Sequence, residues 1–191
     1  MQFPTLSAAL AALDQVTSQI RTGQLSLPTP CPEWNVAQVL MHAAGDQHAW
    51  AASVGSGTPP TYNPFEPPTV GIQEVGDAVN TATEAARTSW TEIAEGSDTL
   101  NTPLPPVPEL SPELAAGAAA LDAAVHAWDV AIATGQPSPL TDELAEQLRP
   151  AAEATVESLR GFAYGPALEP DQDDGAADSL LRYLGRTPQW A

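Results

Sequence analysis

Four stretches of this chain repeat apolar residues every three or four positions, and glycine- or proline-rich sequence bounds each one. That periodicity belongs to one face of a helix, and no stretch shows the sustained alternation of a half-buried strand. Leu6, Leu10, Leu13 and Ile20 mark a first helix over about 5–22, closed by Gly23. Asn35 is placed to cap a second, about 36–54, with Val36, Val39, Leu40, Ala43 and Ala51 as apolar positions. Val75, Val79, Ala82, Ala86, Trp90 and Ile93 set the third, about 72–95. Ser111-Pro112 supplies an N-cap and a first-turn proline for the fourth, about 112–134, with Gly135 as its stop. Thr141 caps a fifth helix that Pro150 is expected to kink or split, and a short helix is expected over about 175–184. The fold class predicted is all-α: a four-helix bundle with long proline-rich connections and short extra C-terminal helices, in a single domain over 1–191.

Charge narrows the partners. The 191 residues hold six basic residues, all arginine, against 24 acidic ones, a formal net charge of −18. So few cations cannot neutralise a run of phosphates, so no nucleic acid is expected as a partner, and anionic membrane surfaces repel such a chain. One cysteine, Cys31, rules out an internal disulfide framework and any multi-cysteine metal site, and fits a reducing compartment. Met1-Gln2-Phe3-Pro4 has no basic leader character, and no run reaches the roughly 20 apolar residues of a membrane span. The expectation is a soluble cytoplasmic protein, monomer or homodimer, acting on a small molecule.

Three histidines are available for chemistry. Asp122 and His126 stand four apart on the fourth helix, and Asp129 falls close to the same line at about 100° per residue. A polar stripe on an otherwise Ala/Val/Leu/Ile helix needs partners. A divalent metal is one; a buried His126–Asp122 hydrogen bond with Asp129 in an ion pair is another. His42 follows the apolar stripe of the second helix, and alone it reads equally as a core histidine or as a third ligand. His48 lies roughly 120° around from it and reads as a rim residue. Cys31, between Pro30 and Pro32, carries no mark of an activated thiolate. The connections 55–70 and 96–110 form a lid or serve merely as connectors. Tyr62 and Phe65 on the first are candidate substrate-binding residues.

The run Thr29-Pro30-Cys31-Pro32-Glu33-Trp34-Asn35-Val36 followed by His42 resembles the N-terminal motif of the DinB-like superfamily. Its nearest likeness is the metal-binding domain of mycothiol-dependent maleylpyruvate isomerases and their single-domain relatives. Asp122-Ala-Ala-Val-His126-Ala-Trp128-Asp129 resembles the family's second motif. Gly161-Phe162-Ala-Tyr164-Gly165 and Leu180-Leu181-Arg182-Tyr183-Leu184-Gly185-Arg186-Thr187-Pro188 resemble the C-terminal pattern of the single-domain subgroup.

The resemblance implies a four-helix bundle with a metal triad at His42, Asp122 and His126, where the isomerase has Glu in the acid position. It implies zinc as the metal, with nickel or iron as alternatives, and mycothiol or a similar thiol as cosubstrate. Asp129 would act beside the ligands. The isomerase has a further C-terminal domain that this sequence does not reach, so a substrate other than maleylpyruvate is expected. The implied reaction is metal-dependent transfer of a low-molecular-weight thiol to a small electrophile, or isomerisation of one. The alternatives are a hydrolase using activated water and a non-catalytic metal-binding scaffold.

Overall fold

A computed structural model describes residues 2–190; Met1 and Ala191, the ends of the expected 1–191 domain, lie outside the described residues. Its helices are α1 (Pro4–Ser18), α2 (Val36–Val54), α3 (Ile72–Thr91), α4 (Pro112–Thr134), α5 (Asp142–Leu159) and α6 (Ala176–Tyr183). Two-residue strands β1 (Leu100–Asn101) and β2 (Glu109–Leu110) pair antiparallel inside the third connection. Helices α1 to α4 form the bundle: α2 packs on α3 and α4, and α1 on α4 and α3. α5 lies against α4, and α6 against α5. No helix among the described residues is long and apolar enough to cross a membrane.

α4 is buried on nearly every side, which its composition allows. A helix apolar all round belongs in the middle of a core. Ala115, Ala119, Ala120, Ala123, Ala124 and Ala127 are small enough to let neighbouring helices approach. Three polar side chains interrupt that surface, Asp122, His126 and Asp129, and they form the polar centre of the molecule.

The helix ends follow their caps. Asn35 and Gln38 make a reciprocal capping box at the start of α2, each side chain bonded to the other's backbone N–H. Ser111 caps α4 and Thr141 caps α5. Asn35→Ala is expected to cost about 1 kcal/mol of stability, read as a shifted urea midpoint.

Three expectations need correction. α1 ends at Ser18 rather than near 22, because the N–H groups of Gln19 and Ile20 turn back to Val16 and Thr17, and a 3-10 turn follows at Thr22–Gln24. α3 likewise stops at Thr91, where the Glu92 N–H bonds to Ser89. Pro150 does not split α5, which runs unbroken from Asp142 to Leu159. Pro150 and Glu146 are both exposed, so the Glu146 carbonyl that loses its helical partner faces water.

The 55–70 connection doubles back along α2. The Tyr62 hydroxyl donates to the Met41 carbonyl, and Gln38 donates to the Pro67 carbonyl. Gly45 makes that path possible: a Cβ there would lie 2.9 Å from the Pro64 side chain.

Candidate metal centre

α2 and α4 run antiparallel across the core, with His42 facing His126 at one level and Gln47 reaching the Ala119 carbonyl at the next. The imidazole centroids of His42 and His126 are 4.8 Å apart and nearly perpendicular. Asp122 lies between them. Its Oδ1 is 3.6 Å from His42 Nε2 and 3.4 Å from His126 Nε2. The structure thus brings together His42, Asp122 and His126, and one donor atom from each lies within 4.8 Å of the others.

Both rings are held from behind. His42 Nδ1 meets the Pro64 carbonyl at 2.8 Å, and a carbonyl only accepts, so Nδ1 carries the proton. His126 Nδ1 meets Asp129 Oδ2 at 2.9 Å, again as donor. Each Nε2 therefore turns toward Asp122. Four-coordinate zinc with bonds of about 2.0–2.1 Å sets its ligand atoms roughly 3.3 Å apart, close to the spacing here. The donor set fits a divalent cation: two imidazole nitrogens and one carboxylate, with outer hydrogen bonds that fix the tautomers.

The charges agree. Burial works against ionisation of Asp122, but His126 and His42 hold its carboxyl well below the usual carboxylate range. Burial would also lower His126, yet the Asp122 charge and bonds to Asp122, Asp129 and Cys31 keep its pKa well above the ordinary histidine value.

Asp129 is fully buried and accepts four hydrogen bonds from three residues. Arg186 Nε reaches Oδ1 at 2.9 Å and Nη2 reaches Oδ2 at 2.9 Å, a two-pronged pair; His126 also binds Oδ2. The Cys31 thiol donates to the same oxygen at 3.2 Å, and Arg186 donates to Cys31 Sγ at 3.4 Å. Burial again opposes the charge, and Arg186 and His126 overcome it, so Asp129 stays ionised well below the usual range. Cys31, His126 and Asp129 also cluster closely enough for a metal. The guanidinium already seated on Asp129 makes that cluster an ion-paired buttress instead.

Several participants were not legible from spacing. Arg186 comes from the segment after α6, 57 residues beyond Asp129. Gly185 aims it: φ is +79°, and a Cβ would lie 2.9 Å from the Pro166 carbonyl. Asp46, four residues after His42, is 4.0 Å from its Nε2. Burial first, then the Asp122 charge, pushes the Asp46 carboxyl up to about 7, and it shares a hydrogen bond with Asp122. The signal was present, since His42–Asp46 repeats on α2 the i, i+4 spacing of Asp122–His126. Gln47 Nε2 lies 3.3 Å from Asp122 Oδ2 and helps fix that carboxylate. Burial and the charge on Asp122 push the Tyr164 phenol up to about 12.

The other candidates are placed differently. The ring of Phe65 is 5.5 Å from that of His42, at the rim of the centre. Tyr62 commits its hydroxyl to Met41, so it anchors the loop to α2. The 96–110 connection joins the N-terminus of α4, and Asp122 lies ten residues past Pro112, about 15 Å along the axis. His48 is half-buried, as a rim residue would be, with its Nδ1 buried and unpartnered among the described residues.

Comparison with known proteins gives three findings. Residues 6–131 match the family of the mycothiol maleylpyruvate isomerase N-terminal domain. An uncharacterized protein of Mycobacterium tuberculosis is 35% identical over 189 residues, covering 94% of this chain and 92% of its own length. The same protein in a second strain matches equally. The crystal structure of a histidine-to-alanine mutant of mycothiol-dependent maleylpyruvate isomerase superposes with a TM-score of 0.60 at 13% identity, covering 79% of this chain and 67% of that one. At that identity the likeness is one of fold.

Proposed function

Because the chain belongs to the mycothiol maleylpyruvate isomerase N-terminal domain family, we propose that it is a metal-dependent enzyme that adds a low-molecular-weight thiol, mycothiol or a close analogue, to a small electrophile. The observation that carries this reading is the convergence of His42 Nε2, His126 Nε2 and Asp122 Oδ1 at ligand spacing, with both Nδ1 atoms already bonded. A divalent metal bound there, zinc or else nickel or iron, would lower the pKa of a thiol and hold it as thiolate. His42, Asp122 and His126 would hold the ion, and three protein ligands leave a position open.

The remaining work falls to the protein. Asp129 and the Pro64 carbonyl fix the imidazole orientations. Arg186 holds Asp129 ionised. The thiolate sulfur bonds to the electrophilic carbon, the π electron pair of the acceptor moves toward its carbonyl oxygen, and a proton then returns to the adjacent carbon. Reversal after rotation about the former double bond releases the thiol and gives isomerisation, so transfer and isomerisation share one first step.

Metal analysis of the purified protein, followed by mycothiol consumption with an α,β-unsaturated ketone, tests the reading. Consumption that requires both metal and His126 is expected. Bound metal with no thiol-dependent turnover and no effect of thiol on stability would favour the scaffold reading.

A pH dependence follows. The pKa of His126 is raised in the metal-free protein, so a proton on Nε2 competes with the metal. Metal affinity is expected to rise with pH, roughly tenfold per unit for each proton displaced, while the pH is below the raised pKa of His126. Calorimetric titration in buffers of different ionisation enthalpy should register the released proton. Affinity that does not change with pH would contradict the ligand assignment.

A further inference from the structure

We propose that this centre takes an uncharged, apolar electrophile and discriminates against carboxylate anions, through an aromatic mouth formed by Trp34, Phe65 and Phe162; the inference rests on the thiol-addition reading. Two independent observations carry it.

The first is where the exposed apolar side chains stand. Phe65 and Phe162 are the two exposed large hydrophobic residues among those described, 40% and 63% accessible. They come from unrelated segments, the connection after α2 and the turn after α5, yet their ring centroids are 4.7 Å apart. Phe65 lies 5.5 Å from the His42 ring, and Trp34 covers that ring at 4.5 Å. Large apolar side chains left in water forgo the gain of burial, so a pair of them at the rim of a polar centre offers surface to an apolar ligand. Aromatic faces stack with planar conjugated groups at such distances.

The second is where the cations are. A carboxylate ligand calls for a free guanidinium, and the arginines are engaged elsewhere. Arg186 holds Asp129, Arg182 holds Asp174 at 2.8 Å, Arg160 holds Glu157 and Arg87 holds Asp14. Arg149 bonds Ser179 and lies 3.9 Å from Glu153. Arg21 has no carboxylate partner among the described residues, but its neighbour Gln24 bonds the Thr134 carbonyl. Thr134 is eight residues past His126, about 12 Å along α4. Besides the two imidazoles, the carboxyls of Asp46 and Asp122 stand at the centre, 4.0 and 3.6 Å from His42 Nε2. Asp122 and a bound thiolate together balance the two charges of a divalent ion, so a carboxylate would enter a site with no positive charge left for it.

The matched pair 4-phenyl-2-butanone and 3-phenylpropanoate, which differ in one uncharged acetyl against one carboxylate, tests this by equilibrium binding. Titration calorimetry on the zinc-loaded protein with mycothiol present reads affinity without any reaction. The ketone is expected to bind at least about tenfold more tightly than the acid. Phe162→Ala should weaken the ketone about threefold or more and leave the acid unchanged, with melting temperature and zinc content intact because Phe162 is mostly exposed. Phe65→Ala should act in the same direction. Equal or tighter binding of the acid, undetectable binding of the ketone, or unchanged ketone affinity in both variants would overturn the proposal. If the binding contrast holds but 4-phenyl-3-buten-2-one is not consumed with mycothiol, the thiol-addition reading fails and the apolar mouth stands.

Discussion

Asp129→Ala is expected to lower the stability of the metal-free protein by about 3–5 kcal/mol, although this fully buried residue is not itself one of the three assigned ligands. The substitution leaves the Arg186 guanidinium, only 11% exposed, without its counter-charge, and strips the acceptor from His126 Nδ1 and the Cys31 thiol. For a chain of this length that corresponds to a fall in melting temperature of roughly 10 °C. A companion variant separates the causes. Replacing both partners, Asp129→Leu with Arg186→Met, removes the stranded charge and should recover most of the loss. Metal affinity should still fall about 10- to 100-fold in the double variant, because His126 loses the bond that fixes its tautomer. Stability unchanged in Asp129→Ala would show that the ion pair does not anchor the C-terminal segment. The pH profile has a definite sign. Asp129 is depressed in the folded state, so its contribution is complete above the ordinary aspartate value of 3.8 and is lost progressively as pH falls toward the depressed one.

The second large effect is at His126. His126→Ala should abolish stoichiometric zinc binding, because Asp122 then retains only His42 as a partner ligand, and two ligands do not make a structural or catalytic zinc site. Stability against added zinc gives an assay independent of turnover. Metal at 1,000 times its dissociation constant stabilises a folded protein by about 4 kcal/mol, and that shift should vanish in the variant. His48→Ala, on another face of α2, should retain both zinc and the shift. Zinc-dependent stabilisation that survives His126→Ala, or disappears in His48→Ala, would place the metal elsewhere.

The helical class and the starts of α2, α3 and α4 were legible because they rest on local chemistry. An N-cap, a first-turn proline, a stop glycine and the 3.6-residue spacing of apolar side chains are all written within a few residues of one another. The pairing of Asp122 with His126 was legible for the same reason, since both stand on one helix face. Where local signals were misleading, solvent decided the outcome: Pro150 sits on the outer face of α5, where water can satisfy the carbonyl it leaves free.

What only the tertiary structure decided is which distant groups meet. His42 and Asp122 are brought together because α2 and α4 run antiparallel at one register, set by buried alanines and by Gln47 reaching Ala119. Arg186 reaches Asp129 because α5 and α6 carry the chain back over α4 and Gly185 turns it inward. Phe65 and Phe162, on two unrelated loops, become neighbours because the first loop retraces α2 and the second closes the end of α5. Spacing along the chain determines which side chains share a helix face. Which faces then meet depends on the packing of all the helices together, a choice no short stretch of sequence contains.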